Sequence, residues 1–289
     1  MQGTVDGFSY GLVTPVAAYL MACLGGALGL RCTTRSLLVA HSWRPGWLAL
    51  GSAAIGSGIW TMHFIAMMGF SVDEAPIHYD KALTFASLAV AIVMVGIGIF
   101  IVGYRGATGT ALFTGGTITG LGVASMHYLG MAGMRLRGTL EYNTLTVSAS
   151  VVIAVVAASA ALWAAAQVRG FLWSLGASLV MGLAVSGMHY TGMAALSVHL
   201  HGSSSEPPTA GDSPAELLAP MMIGPLAFLL LAGVIVMFDP LMVMGKADLE
   251  RAAQGQRAPY PVPRSGDRHA PRAGRRPPQR PGPKTPQSW

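Results

Sequence analysis

Met62-His63-Phe64-Ile65-Ala66-Met67, Met126-His127-Tyr128-Leu129-Gly130-Met131 and Met188-His189-Tyr190-Thr191-Gly192-Met193 are three copies of one pattern. Their histidines stand 64 and 62 residues apart. A period of that length marks a duplicated supersecondary unit. Within each copy the His and the second Met are four residues apart, so on a helix they share one face. The residue three after the His is Ala66, Gly130 or Gly192, small enough to leave room beside an imidazole.

Around these copies the chain is apolar. Of its 289 residues 52% are hydrophobic and 10% charged, against roughly 25% charged in a soluble domain. Seven runs, at 12–30, 47–69, 82–103, 111–134, 145–166, 171–196 and 220–238, contain no Asp, Glu, Lys or Arg. Each approaches or exceeds the roughly 20 helical residues that cross a bilayer core. The expected architecture is an all-α membrane protein of seven transmembrane helices. Three repeated two-helix units (helices one and two, three and four, five and six) precede a seventh helix outside the repeat. Residues 1–11 are a short extracytoplasmic segment without Lys or Arg, so the first run reads as a retained span. Residues 12–244 form the membrane domain, and 245–289 a disordered tail with nine prolines and ten basic residues.

Orientation follows from the loops. Arg31, Arg35, Arg44, Arg105, Arg169 and the tail's basic residues fall on one side, against Lys81, Arg135 and Arg137 on the other. The basic-rich side is cytoplasmic, which places the N-terminus outside and the C-terminus inside. All three motif histidines then sit at one height in the outer half of the bilayer. The net charge of +6 resides mostly in the tail, which fits attraction to the anionic leaflet of the bilayer. No basic, aromatic-interleaved surface for nucleic acid remains.

The chemistry rests on the triplicated motif. Imidazole suits copper, zinc or iron, and thioether favours Cu(I). Met62, His63, Met67, Met126, His127, Met131, Met188, His189 and Met193 are the metal-ligand set, for copper first and haem second. Ionisable side chains inside membrane helices are functional candidates by default. The structural alternative is a polar network binding the histidines to Ser57, Ser125, Ser186 or Thr191. His199-x-His201 offers a weaker loop site, with His78 nearby in the same class. Asp239 reads as a helix-end marker, and Gly25, Gly26, Gly29, Gly115, Gly116 and Gly120 as close-packing residues. Cys23 and Cys32 read as buried, reduced thiols outside any disulfide framework. No nucleophile–base pair, paired carboxylates or phosphate loop is visible, so no enzymatic activity is expected.

The three Met-His-aromatic copies on alternate helices resemble the MHYT domain family of bacterial membrane sensors. Met188-His189-Tyr190-Thr191 spells that motif, Met126-His127-Tyr128-Leu129 keeps its Tyr, and Phe64 replaces the Tyr in the first copy. The resemblance spans about residues 10 to 245. It implies a multi-pass protein of the bacterial inner membrane and a sensor or signalling input module. Such a module would bind copper through Met and His and respond to redox state or to oxygen, carbon monoxide or nitric oxide. No segment is large enough for an attached kinase or cyclase, so a separate cytoplasmic signalling partner is expected. A copper-handling or complex-assembly protein is the alternative.

Overall fold

The computed structural model describes residues 5–6, 9–72, 77–136, 138–167, 171–200 and 214–239. Arg137, Arg169, His201, the 202–212 loop and the 245–289 tail lie outside the described residues. Among the described residues there are seven helices: α1 (Val13–Ser36), α2 (Arg44–Met68), α3 (Lys81–Arg105), α4 (Gly109–Ala132), α5 (Thr144–Gln167), α6 (Phe171–Ala194) and α7 (Pro214–Met237). At 24 or 25 residues each, they run about 36 Å. Six are apolar enough as well as long enough to cross a membrane. The other, α4, is just as long, but six glycines and four threonines lower its hydropathy. That composition serves packing, because α4 runs between α3 and α5.

The starts of the helices are written locally. Asp80 accepts the Leu83 N–H at 3.1 Å to cap α3, and Thr108 accepts the Ala111 N–H at 3.3 Å to cap α4. Asn143 Oδ1 accepts from Leu145 and Thr146, 3.1 Å each, at the start of α5. These side chains satisfy amide groups that a helix start leaves without partners. At the far end of α3, Gly106 takes φ +74°, a conformation open essentially to glycine, and the helix stops there.

Packing follows the chain. Each of α1 to α6 lies against the next, and α6 returns against α1 to close a ring; α7 packs outside it, on α2 and α1. The ring is tight where glycines meet. A Cβ on either Gly25 or Gly58 would fall 2.7 Å from the other's Cα, so α1 and α2 touch backbone to backbone. Gly116 and Gly120 bring α4 equally close to Ser159 and Val155 of α5. The indole of Trp60 pins α2 to α3, donating to the Thr84 carbonyl at 3.1 Å and the Ser87 hydroxyl at 3.0 Å.

Six short strands among the described residues, unforeseen in the sequence, complete the repeat. β1 (Val5–Asp6) pairs with β2 (Ser71–Val72), β3 (His78–Tyr79) with β4 (Met134–Arg135), and β5 (Gly138–Tyr142) with β6 (Leu196–Leu200), all antiparallel. Each ladder joins the segment before an odd-numbered helix to the segment after the next even-numbered one. The unit is therefore strand–helix–helix–strand, three times over. All three ladders gather at the end of the bundle where the motif helices finish.

Candidate metal centre

Each motif helix ends at the same offset from its histidine. His63, His127 and His189 are followed by five further helical residues, to Met68, Ala132 and Ala194. Five residues are about 7.5 Å of rise. The shared offset brings the imidazoles to one level. The ring closure of α1 to α6 turns all three towards the centre.

There the histidines meet. The Nδ1 atoms of His63 and His189 are 3.0 Å apart, those of His63 and His127 3.2 Å, and those of His127 and His189 3.3 Å. Ring centroids are 4.9, 5.0 and 5.1 Å apart, and every pair is edge-on. No ring is more than 2% exposed. Each also abuts the aromatic residue after it, Phe64, Tyr128 or Tyr190, at 4.6 to 4.9 Å. Among the described residues these three form the one group of His, Cys, Asp or Glu side chains close enough to share an ion.

This triangle does not satisfy itself. A neutral imidazole nitrogen either donates or accepts. Among three mutually adjacent Nδ1 atoms at least one pair must therefore set lone pair against lone pair, or proton against proton. A cation accepting three lone pairs removes the conflict. The dimensions fit: three nitrogens about 2.0 Å from one tetrahedral ion lie about 3.3 Å apart. With each Nδ1 ligating such an ion, the ring proton would sit on Nε2. The Nε2 atoms of His63 and His127 are buried without a partner among the described residues. An acceptor bonded to the outer ring nitrogen usually orients a metal-binding histidine; here close contact does so. A Cβ on Gly130 would lie 2.6 Å from His63 Nε2, and one on Gly192 2.5 Å from His127 Nε2. The glycine three residues after His127 and after His189 thus makes room for the ring of the preceding copy.

The methionines of the motif sit in the surrounding core. Met62, Met67, Met126, Met131 and Met188 are buried, and half-buried Met193 packs against the same cluster. The serine and threonine network does not engage the histidines. Thr191 donates to the Gly187 carbonyl at 2.7 Å, and the Ser186 hydroxyl has no partner among the described residues. Elsewhere, His199 lies 3.4 Å from Glu141 on the exposed face of β5–β6, and exposed His78 pairs in register with Arg135. Cys23 and Cys32 are free and buried.

One pairing escaped the sequence. Asp239, read as a helix-end marker, is buried and bonded by Arg35 Nε from the last turn of α1. The guanidinium also lies 5.3 Å from the Trp47 ring centre. Opposite charges at two helix ends on one side were visible, but their spacing of 204 residues hid the contact.

The sequence matches the MHYT family, described as a bacterial signalling protein N-terminal repeat, over residues 56–115, 120–178 and 182–243. The chain belongs to the MHYT family. The MHYT repeat is framed with the motif helix first, which puts α7 in the third matched segment and α1 outside. The ladders close the opposite frame. The sequence repeat and the packed hairpin are thus one helix out of phase. The chain is 38% identical over 65% of its length to the bifunctional diguanylate cyclase/cyclic di-GMP phosphodiesterase MucR of Pseudomonas aeruginosa. It is 34% identical over 68% of its length to the cyclic di-GMP phosphodiesterase NbdA of that organism, and 30% over 62% to the signalling protein YkoW of Bacillus subtilis. These matches cover 28%, 26% and 23% of the relatives, so the chain spans about a quarter of their length. No solved structure matches it. Its apolar helices and its family make it a multi-pass membrane protein.

Proposed function

We propose that this MHYT chain is a sensor input module of the bacterial inner membrane that holds one metal ion, copper by preference, between His63, His127 and His189. The observation that carries the reading is the triangle of Nδ1 atoms, 3.0 to 3.3 Å on a side, buried at the centre of the helix ring. Seven spans are assigned, α4 included, with the N-terminus outside. Arg35, Arg44 and Arg105 then lie at the cytoplasmic end, and the histidines in the outer half.

The histidines would supply nitrogen ligands, with the thioethers of Met67, Met131 and Met193 nearby as soft donors. Bound copper would supply a redox couple and a position for a diatomic gas. The chain's own residues exclude water, hold Nδ1 inward and link the site to α2. Because α2 also packs on α7, a change in spacing at His63 reaches the helix leading towards the cytoplasm. A separate cytoplasmic signalling protein would read it there; no catalysis is assigned to the chain. Rings packed at 4.9 to 5.1 Å favour an ion over a haem, whose macrocycle needs a slot between them.

The test is carbon monoxide binding to the purified, copper-loaded, reduced protein, followed by infrared absorption. A carbonyl stretch that disappears in His127→Ala is expected. An intense Soret band, or a stretch unchanged in that variant, would overturn the reading.

A further inference from the structure

The faces that carry the histidines continue inward. One turn before them stand Ile59, Val123 and Val185, and two turns before them Ile55, Thr119 and Met181. All six line a cavity of ≈ 40 Å³ on the axis of the ring. The far wall is α5, where Ala158 and Ala161 stand at positions that a larger residue would fill. The volume exceeds the 10–15 Å³ that admits a water. Yet the lining offers little polarity beyond the Thr119 hydroxyl, which is buried and has no partner among the described residues. A buried water needs two to four polar partners, and apolar cavities that lack them stay dry and take up apolar guests.

We infer that this axial cavity is a docking chamber for one small apolar molecule, a diatomic gas in the cell, lying one helical turn (about 6 Å) inside the histidine triangle. Its size excludes a ring such as benzene, which occupies an engineered cavity of about 150 Å³. An apolar gas, concentrated in lipid, would wait in a dry space on the side of the triangle away from the strand ladders. The identity of the natural guest rests on the sensor reading above; the chamber itself does not.

Xenon is the probe. Crystals of the full chain are pressurised with xenon, and anomalous scattering locates the atom while metal occupancy is measured in the same crystals. One xenon peak is expected between Ile59, Val123 and Val185. Ala158→Leu should abolish it, and Val123→Ala, which enlarges the space, should raise its occupancy at the same pressure. Metal occupancy should not change in either variant. No peak at this position in the unsubstituted protein, or a peak indifferent to both substitutions, overturns the chamber. Absent metal with the xenon pattern intact would instead sink the metal centre and leave the chamber standing. If Ala158→Leu fails to fold, Val123→Ala alone decides the matter.

Discussion

Gly130 and His63, on different helices and in different copies of the motif, touch so closely that a Cβ on the glycine would lie 2.6 Å from His63 Nε2. Gly192 stands in the same relation to His127, at 2.5 Å. Absence of a side chain therefore sets the imidazole positions. Gly130→Ala and Gly192→Ala should each displace a ring and weaken metal binding about 10-fold to 100-fold, the range of second-shell changes. Gly187→Ala, where a Cβ meets nothing within 4 Å, is the control and should leave affinity unchanged. Titration with a competing chelator measures all three. Equal affinities across the set would show that the glycines do not position the rings.

Arg35 and Asp239 tie the end of α1 to the chain just beyond α7, with side chains 11% and 4% exposed. Removing one member of a buried pair leaves the other charge without compensation, at a cost of about 3 kcal/mol. Asp239→Ala should therefore lower thermal stability markedly in detergent or lipid discs. The double variant Arg35→Met with Asp239→Leu should recover most of the loss. If the single variant melts like the unsubstituted protein, the pair does not anchor α7.

Asp80 gives the ladder end of the bundle a pH dependence. The Leu83 N–H at the start of α3, chiefly, and Arg135 at 3.6 Å hold its carboxyl below the ordinary value of 3.8. A depressed folded-state pKa contributes stability above the unfolded value and loses it as pH falls through the folded value. Thermal unfolding should thus separate Asp80→Asn from the unsubstituted chain at pH 7, and the gap should close as pH falls below the ordinary value of 3.8 and through the lower folded one. A gap that persists unchanged in acid would remove the ionised cap from the account.

The helices and the shared depth of the histidines were legible because both rest on local spacing. A charge-free run of twenty residues admits few states other than a membrane helix. Three histidines at one offset in three such runs share a depth whatever the side-chain detail. The ladders β1–β2 and β3–β4 were not legible, since two-residue strands such as Ser71–Val72 carry no periodicity. Arg35–Asp239 and the axial cavity are products of ring closure, which no spacing along the chain encodes. The small residues illustrate the boundary between the two kinds. Gly130 was read as room beside an imidazole, but the imidazole it admits belongs to the preceding copy.

The proposed membrane orientation rests on Arg31, Arg35, Arg44 and Arg105 against Lys81 and Arg135. Reporter fusions at Gly3 and within residues 202–212 should report outside, and fusions after Gly245 inside. An even number of spans would place the two ends on one side and contradict both the orientation and the inclusion of α4.

Metal content tests the central claim most directly. The protein purified from cells grown with copper, and stripped protein reloaded with copper, should each hold about one ion per chain by elemental analysis. His63→Ala, His127→Ala and His189→Ala should each fall close to background, because a triangle missing one corner leaves two ligands for the ion. His78→Ala should retain the full amount. Copper absent from the reloaded protein, or present equally in the three motif variants, would contradict the metal centre and leave the triangle as a packing feature of the bundle.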